Sequence, residues 1–327
     1  MTNALLRVDE VTRSFSRGRT WAGRRRPRLQ AVQGVSLTVR EGETLGIVGE
    51  SGCGKSTLAR MIVGLDRPSG GKIRFDGEDV VALLGRSRWS LVQRVQYVFQ
   101  DPLSSLNPRK RIGSIIEAPL KHLLSMDRAA RRHRVAQLLE MVGLRNEFVE
   151  RYPHEFSGGQ AQRISIARAL AAEPDLIVLD EPVSALDVSI QAQVLNLLEE
   201  LRRRLSLTYV FISHDLAVVE AISDRVAVMY FGRVVETGPA PSIFRAPRHP
   251  YTRLLLDSAP VAGRRGIAKE GVLAELPDPI APPLGCAFAP RCPRATDLCR
   301  ERRPELVGDE SGAVACHHPL DVEGTAV

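Results

Sequence analysis

The apolar positions of the chain fall into two kinds of segment that follow one another in turn. Short, largely apolar runs, typical of strands buried in a parallel sheet, occupy residues 44–48, 175–180, 208–213 and 225–230. Helices are predicted for residues 55–65, 112–145, 161–172 and 188–205. Further strands are predicted at 5–11, 32–39 and 72–79, the last of them ending in an Asp-Gly turn. Strands that alternate with helices predict an α/β fold with a mainly parallel core sheet.

The composition of the chain changes near residue 239. The 327 residues are about twice the length of a typical domain, so we expect one large domain and a smaller one. Beyond residue 239 proline becomes frequent and four of the five cysteines occur. We therefore predict a main domain at 1–240 and a small cysteine-containing C-terminal domain at 241–327.

Composition and charge restrict the class of protein. Hydrophobic residues make up 44% and charged residues 25% of the chain, the profile of a soluble globular protein. No run approaches the ~18 apolar residues of a transmembrane helix, and the first residues lack a signal-peptide core, so we expect a cytosolic location. The net charge is +7, and residues 11–40 hold eight arginines and no acid. Such a stripe permits contact with nucleic acid or a membrane, but a solvated loop in an arginine-rich chain explains it better.

A glycine-rich loop follows the strand at 44–48 and opens the helix at 55–65, and its sequence fits G-x-x-x-x-G-K-S/T. Glycines let backbone N–H groups face phosphates, Lys55 can reach the β- and γ-phosphates, and the Ser56 hydroxyl can ligate Mg²⁺. The helix N-terminus and Lys55 would also lower the pKa of the Cys53 thiol, unless this position of the motif is simply unconstrained. The predicted phosphate-binding loop comprises Gly49, Glu50, Ser51, Gly52, Cys53, Gly54, Lys55, Ser56 and Thr57.

Two adjacent carboxylates end the apolar strand at 175–180. Asp180 lies at the carboxyl edge of the predicted sheet, where ligands bind in folds of this kind, and Glu181 follows it directly. We predict that Asp180 holds Mg²⁺ with Ser56, and that Glu181 polarises the water that attacks the γ-phosphate.

At this point the chain resembles the ABC ATPases over roughly residues 4–240. Phe156-Ser157-Gly158-Gly159-Gln160 resembles their signature sequence, with Phe in place of the usual Leu. Gln100 matches the Q-loop, Ser184 to Asp187 match the D-loop, and His214 matches the switch histidine. The resemblance implies a P-loop NTPase of the ABC ATPase fold, with an antiparallel β part and a helical subdomain at about 101–172.

The resemblance also implies a mechanism. Two ATPase domains enclose two ATP molecules head to tail, so that the signature turn at Ser157 to Gln160 of one faces the phosphate-binding loop of the other. Gln100 would sense Mg²⁺ and the attacking water, and His214 would contact the γ-phosphate and orient Glu181 or the water. Phe15 lies where the family stacks an aromatic ring on adenine, although a core phenylalanine is the alternative.

The C-terminal segment narrows the resemblance to the ATPases of dipeptide, oligopeptide and nickel importers. It contains His249-Pro-Tyr-Thr252 and, further on, the four cysteines Cys286, Cys292, Cys299 and Cys316. Their spacing differs from the common zinc and ferredoxin patterns. In this family such cysteines are associated with a 4Fe–4S cluster, so the resemblance implies one here. A zinc site and free structural thiols are the alternatives.

The resemblance implies the partners as well. We expect a peripheral subunit on the cytoplasmic side of the cell membrane, docked on two permease subunits through residues 100–107. A second and different ATPase subunit would complete a heterodimer, and an extracytoplasmic solute-binding protein would act indirectly. Export or peptide resistance is a rival role. Action on nucleic acid is less favoured, since 102 residues between Gly54 and Phe156 leave no room for a long coiled-coil arm.

Overall fold

The computed structural model describes residues 4–16, 28–258, 277–309 and 311–321. Residues 17–27, which hold five of the eight arginines in the segment 11–40, lie outside these ranges. Among the described residues no helix is both long enough and apolar enough to cross a membrane.

Within the described residues, two β-sheets form the framework. Their strands are β1 (Ala4–Ser16), β2 (Arg28–Arg40), β3 (Thr44–Val48), β4 (Gly70–Phe75), β5 (Glu78–Asp79), β6 (Val95–Val98), β7 (Leu176–Asp180), β8 (Thr208–Ile212), β9 (Arg225–Tyr230), β10 (Arg233–Pro239), β11 (Val307–Asp309) and β12 (Gly312–Val314). The smaller sheet is antiparallel, with strand order β2-β1-β4-β5, and the larger has eight strands in the order β11-β12-β10-β9-β3-β8-β7-β6.

The central strands β9, β3, β8, β7 and β6 run parallel to one another. Every residue of β3, β7 and β8 is buried, which explains why these strands are almost uninterrupted apolar runs in the sequence. The mainly parallel core sheet predicted from the sequence is confirmed, and so is the antiparallel β part.

Helices cover the sheet and form a separate layer beside it. They are α1 (Lys55–Ile62), α2 (Val80–Arg86), α3 (Arg88–Arg94), α4 (Pro102–Ser105), α5 (Ile112–His122), α6 (Arg128–Met141), α7 (Gly158–Leu170), α8 (Val188–Leu205), α9 (Leu216–Ile222), α10 (Ala240–Arg245), α11 (Pro250–Ser258) and α12 (Asp297–Glu301). Helices α4 to α7 pack against one another and supply much of one hydrophobic cluster. They span the predicted helical subdomain.

The segment predicted as mostly helical at 112–145 is two helices. Helix α5 ends at His122, and Ser125 adopts a left-handed backbone with φ of 52°. Helix α6 then starts because the side chain of Asp127 accepts hydrogen bonds from the backbone N–H groups of Ala129 and Ala130.

The C-terminal residues pack onto the main domain instead of forming a core alone. Strand β12 pairs with β10 at the edge of the large sheet. The Phe288 ring is buried, with its centroid 5.4 Å from those of Tyr230 and Tyr251. The division at residue 240 therefore stays a prediction from composition.

Candidate active site

A cavity of about 600 Å³ opens beside the phosphate-binding loop. Its walls come from parts of the chain that are far apart in sequence, because the carboxyl ends of the parallel strands meet at one edge of the sheet. Residues predicted for the site that line it are Phe15, Ser51, Gly52, Gly54, Lys55, Ser56, Thr57, Gln100, Glu181 and His214.

The phosphate-binding loop connects β3 to α1, and two of its glycines have no room for a side chain. A Cβ on Gly49 would lie 2.1 Å from the carbonyl oxygen of Met229, and one on Gly54 would lie 2.3 Å from that of Ala31. Both have positive φ, which glycine adopts without strain. Lys55 is buried, and its Nζ donates to the carbonyl oxygens of Gly49 at 2.7 Å and Glu50 at 3.0 Å.

Cys53 differs from the sequence expectation. Its side chain is buried, and burial raises the pKa of the thiol, outweighing the nearby Lys55, which lowers it. The reason is that Cys53 turns into the apolar core beneath the loop. Its thiol is therefore protonated at neutral pH.

Ser56 and Asp180 come together although 124 residues separate them. The Ser56 hydroxyl donates to a carboxylate oxygen of Asp180 at 3.1 Å, and the Tyr97 hydroxyl donates to the other oxygen at 2.5 Å. Burial raises the pKa of Asp180, while both hydrogen bonds lower it. A hydroxyl and a carboxylate are the hard oxygen donors that Mg²⁺ takes together with phosphate oxygens. These two residues therefore fit a magnesium ion.

Glu181 lies between two polar side chains. The amide nitrogen of Gln100 donates to its Oε2 at 2.9 Å, and Nδ1 of His214 lies 3.2 Å from the same oxygen. Glu181 also has a left-handed backbone with φ of 48°, which costs a residue other than glycine about 1–3 kcal/mol. Such strain is typical of functional sites, where the surrounding structure enforces it.

Phe15 is 37% exposed and lines the cavity, so it is not a core residue. The guanidinium of Arg13 lies 4.6 Å from the centroid of its ring. An exposed aromatic face beside the phosphate-binding loop is available for a nucleotide base.

The signature residues and Asp187 do not line this cavity. Ser157 caps α7, where its hydroxyl and the side chain of Gln160 each bond the other's backbone N–H group. Asp187 stands at the start of α8. Phe156 is buried, with its ring 5.3 Å from that of Phe148, whereas Gly158 and Gly159 form the first turn of α7.

The prediction of an iron–sulfur cluster is contradicted. Cys286, Cys292, Cys299 and Cys316 line one small pocket. Within the described ranges, however, no group of three or more His, Cys, Asp or Glu side chains is arranged to hold a metal ion. The same finding argues against the alternative of a zinc site.

The physical reason lies in how the C-terminal segment is packed. The expectation assumed that the segment needs a metal to hold its shape. Instead, it takes its core from Phe288 against the main domain, and the Cys286 N–H donates to the Cys299 carbonyl at 2.7 Å.

Sequence reasoning missed three residues beside the site: Tyr97, Tyr251 and Arg291. Tyr97 lies on β6, three positions before Gln100, and the sequence around it does not indicate a chemical role. The Tyr251 hydroxyl and the Arg291 guanidinium both contact Glu50 in the phosphate-binding loop. Tyr251 belongs to the noted His249–Thr252 motif, but no pattern in the sequence connects that motif to Glu50.

Comparisons with known proteins identify the family of the chain. Residues 32–184 match the family described as ABC transporter, and residues 235–299 match the oligopeptide/dipeptide transporter C-terminal region. The chain is 50% identical to the oligopeptide transport ATP-binding protein OppF of Salmonella typhimurium, over 95% of each chain. It is 52% identical to the oligopeptide transport ATP-binding protein AppF of Bacillus subtilis, over 88% of this chain and 89% of the relative.

Solved structures resemble the fold as well. The protein cbiO1 of Clostridium perfringens, part of the ABC transporter complex cbiONQ, aligns with a TM-score of 0.64 at 28% identity, over 75% of this chain and 92% of that one. The dimeric bacterial ABC transporter cassette MJ0796 aligns with a TM-score of 0.63 at 30% identity, over 72% and 98%. The chain belongs to the ABC transporter family as an ATP-hydrolysing, nucleotide-binding subunit, in the group with the oligopeptide/dipeptide transporter C-terminal region.

Proposed function

We propose that this chain hydrolyses ATP to energise the import of di- or oligopeptides through an ABC transporter. The observation that carries the proposal is Glu181, held by Gln100 and His214 at a cavity that the phosphate-binding loop also lines. Peptide as the solute rests on relatives named for oligopeptide and dipeptide transport.

The residues around the cavity have different roles in ATP hydrolysis. Lys55 and the backbone N–H groups of residues 49–57 hold the phosphates, and Phe15 stacks on adenine. Ser56, Asp180 and Gln100 are the residues that would hold a magnesium ion. When bound, the ion offsets negative charge on the phosphate oxygens.

Glu181 takes the proton of the attacking water, whose oxygen then bonds to the γ-phosphorus as the bond to ADP breaks. His214 fixes the direction of the Glu181 carboxylate through their 3.2 Å contact and reaches the γ-phosphate. The strained backbone of Glu181 supports this role, because a fixed carboxylate needs no reorientation when the water arrives.

The second half of the site comes from a partner. The signature turn, Phe156 to Gln160, is absent from the wall of the chain's own cavity. Ser157 and the first N–H groups of α7 instead hold the γ-phosphate bound to a second ATPase subunit, because a helix N-terminus attracts anions. Asp187 lies at that subunit boundary. We propose that the second subunit is a different chain, which makes a heterodimer.

The membrane partners dock on the helical layer. Phe99 and Leu103 are each 40% exposed, on either side of Gln100. Exposed apolar side chains beside the Q-loop suit a contact with two permease subunits on the cytoplasmic side of the membrane. An extracytoplasmic solute-binding protein delivers the peptide.

Residues 1–240 form the ATPase domain and 241–327 the C-terminal extension.

The test is transport by the assembled complex in lipid vesicles. We expect labelled peptide to accumulate only with MgATP and with this chain present, and solute-loaded binding protein to speed ATP hydrolysis. Accumulation of nickel but not peptide would assign a different solute. Movement of peptide in the opposite direction would contradict import.

A further inference from the structure

The C-terminal extension reaches back to the phosphate-binding loop through one ion pair. The two terminal nitrogens of Arg291 donate to the two carboxylate oxygens of Glu50, each at 2.8 Å, across 241 residues of sequence. The side chain of Arg291 is 9% exposed and that of Glu50 is 28% exposed. A two-pronged contact of this kind fixes direction as well as distance, and its partial burial protects it from solvent.

The backbone of Glu50 is held as well. Its N–H group donates to the hydroxyl of Tyr251 at 3.0 Å, and its carbonyl oxygen accepts from Nζ of Lys55 at 3.0 Å. The side chain, the N–H group and the carbonyl group of Glu50 therefore each have a partner. Two of these three partners belong to the chain beyond residue 240.

Tyr251 and Arg291 both pack against buried aromatic rings. The ring centroid of Tyr251 lies 4.5 Å from that of Tyr230 and 5.4 Å from that of Phe288, and all three rings are buried. The guanidinium of Arg291 lies 5.9 Å from the rings of both Tyr230 and Phe288. Close packing between large buried rings limits how far each ring can shift.

Glu50 is the second residue of a loop whose N–H groups must face the phosphates. A shift of its backbone would turn the peptide groups on either side of it and would move the carbonyl that Lys55 contacts. Small displacements in such a loop lower affinity because phosphate binding depends on several aligned donors at once.

We propose that Arg291 and Tyr251 are positioning residues of the ATP site, which set its affinity for MgATP by fixing Glu50. The extension is then a working part of the nucleotide site in addition to packing on the main domain. This inference rests on the proposed function, in that ATP must occupy the loop.

The experiment is equilibrium binding of MgATP to the purified full chain, with thermal unfolding recorded in parallel. We expect Arg291→Met to raise the Kd for MgATP about tenfold, the change that loss of one charge-assisted hydrogen bond produces. Glu50→Gln should have a similar effect, and the double variant should be no worse than either, because the two act as one pair. Arg291→Lys should restore part of the affinity, since lysine carries the charge without the fork.

The matched control is Arg300→Met. Arg300 belongs to the same extension and pairs with Asp297, but both are exposed. Its loss should leave the Kd unchanged. Tyr251→Phe removes a single oxygen atom from the other contact and should raise the Kd about threefold, near the lower range for one neutral hydrogen bond.

Three results would overturn the inference. The first is a wild-type Kd in a folded Arg291→Met or, where that variant does not fold, in Tyr251→Phe. The second is full additivity of Arg291→Met and Glu50→Gln. The third is an equal loss in Arg300→Met. If the unaltered chain does not bind MgATP, the proposed function fails along with the inference, whereas a normal Kd in both the unaltered chain and Arg291→Met removes the inference alone.

Discussion

Nδ1 of His214 lies 3.2 Å from Oε2 of Glu181 although the two residues are 33 positions apart. The register of the sheet produces this contact. Asp180 of β7 pairs with Ile212 of β8, so that the residues just beyond the two strands leave the same edge side by side. The N–H group of Glu181 donates to the carbonyl of Ile212 at 2.9 Å and fixes the spacing. The contact between Glu181 and His214 is therefore a direct consequence of parallel strand pairing.

Replacing Glu181 by Gln tests the proposed base. The amide keeps the shape of the side chain but cannot accept a proton, so ATP hydrolysis in the assembled transporter should fall at least ~10²-fold. MgATP binding should persist, and the ATPase pair should remain closed in its presence. Lys55→Ala is the contrasting variant, because it should weaken ATP binding itself. A rate equal to that of the parent in Glu181→Gln would remove Glu181 from the chemistry.

Most of the candidate site could be predicted from the sequence, because each of its parts is a short motif of neighbouring residues. The phosphate-binding loop, Asp180 with Glu181, and His214 each follow an apolar strand, and parallel strands of one sheet bring their carboxyl ends together. Tyr97 could not be identified in this way. It contacts Asp180 from a neighbouring strand, and its role depends on strand order and on the direction of one side chain, neither of which the sequence pattern encodes.

Tyr97→Phe tests whether the Tyr97 hydroxyl helps to keep the Asp180 carboxylate charged. Burial raises the pKa of Asp180, and the hydrogen bond from Tyr97 counters that rise by favouring the charged form. Without the hydroxyl the pKa of Asp180 rises further, so the carboxylate becomes protonated at a higher pH. The Mg²⁺ concentration that gives half-maximal ATPase activity should increase about tenfold, with the greatest change at the acid end of the profile.

The measurement is ATPase activity against Mg²⁺ concentration between about pH 6 and pH 8, a range that brackets neutrality. Tyr152→Phe, outside the cavity, is the control and should behave like the parent. An unchanged Mg²⁺ requirement across this range would show that Tyr97 does not act on Asp180.

Ser157→Arg tests the shared site. The signature turn does not line the chain's own cavity, so a bulky cation there should leave MgATP binding to this chain intact. Turnover of the assembled complex should fall to background, because the arginine would block the facing nucleotide. Asp127→Ala removes a comparable helix cap from α6, costing about 1 kcal/mol, and should leave turnover unchanged. Full turnover by Ser157→Arg, or by a strictly monomeric chain, would contradict a site shared between subunits.

The C-terminal extension was the part least accessible to sequence reasoning. Its proline and cysteine content suggested a small domain that would need a metal to hold its shape. The extension instead adds β12 to the large sheet and packs Phe288 against Tyr230 of the main domain. Whether a short segment packs on its own or on a neighbour depends on long-range contacts, which neither composition nor cysteine spacing reports.

His249 provides a test of that packing through pH. It is 1% exposed, and its Nδ1 accepts a hydrogen bond from the Tyr251 N–H group at 3.0 Å. Burial lowers the pKa of His249 from 6.5 to about 4, so the folded protein holds it neutral. Below about pH 6.5 an unfolded chain protonates this histidine and the folded chain does not. The contribution of His249 to stability is therefore complete near pH 7 and declines as the pH falls from about 6.5 towards 4.

Between pH 7 and pH 5 we expect this one residue to lower the free energy of unfolding by about 2 kcal/mol. The measurement is urea unfolding of the full chain at both pH values. His249→Gln should be less stable than the parent at pH 7, since a well-packed buried side chain is changed, but its loss between pH 7 and pH 5 should be smaller by about that 2 kcal/mol. His133→Gln, at an exposed histidine of α6, should follow the parent at both pH values. If His249→Gln loses as much stability as the parent between the two pH values, His249 is not held neutral against the ring cluster of Tyr251 and Phe288.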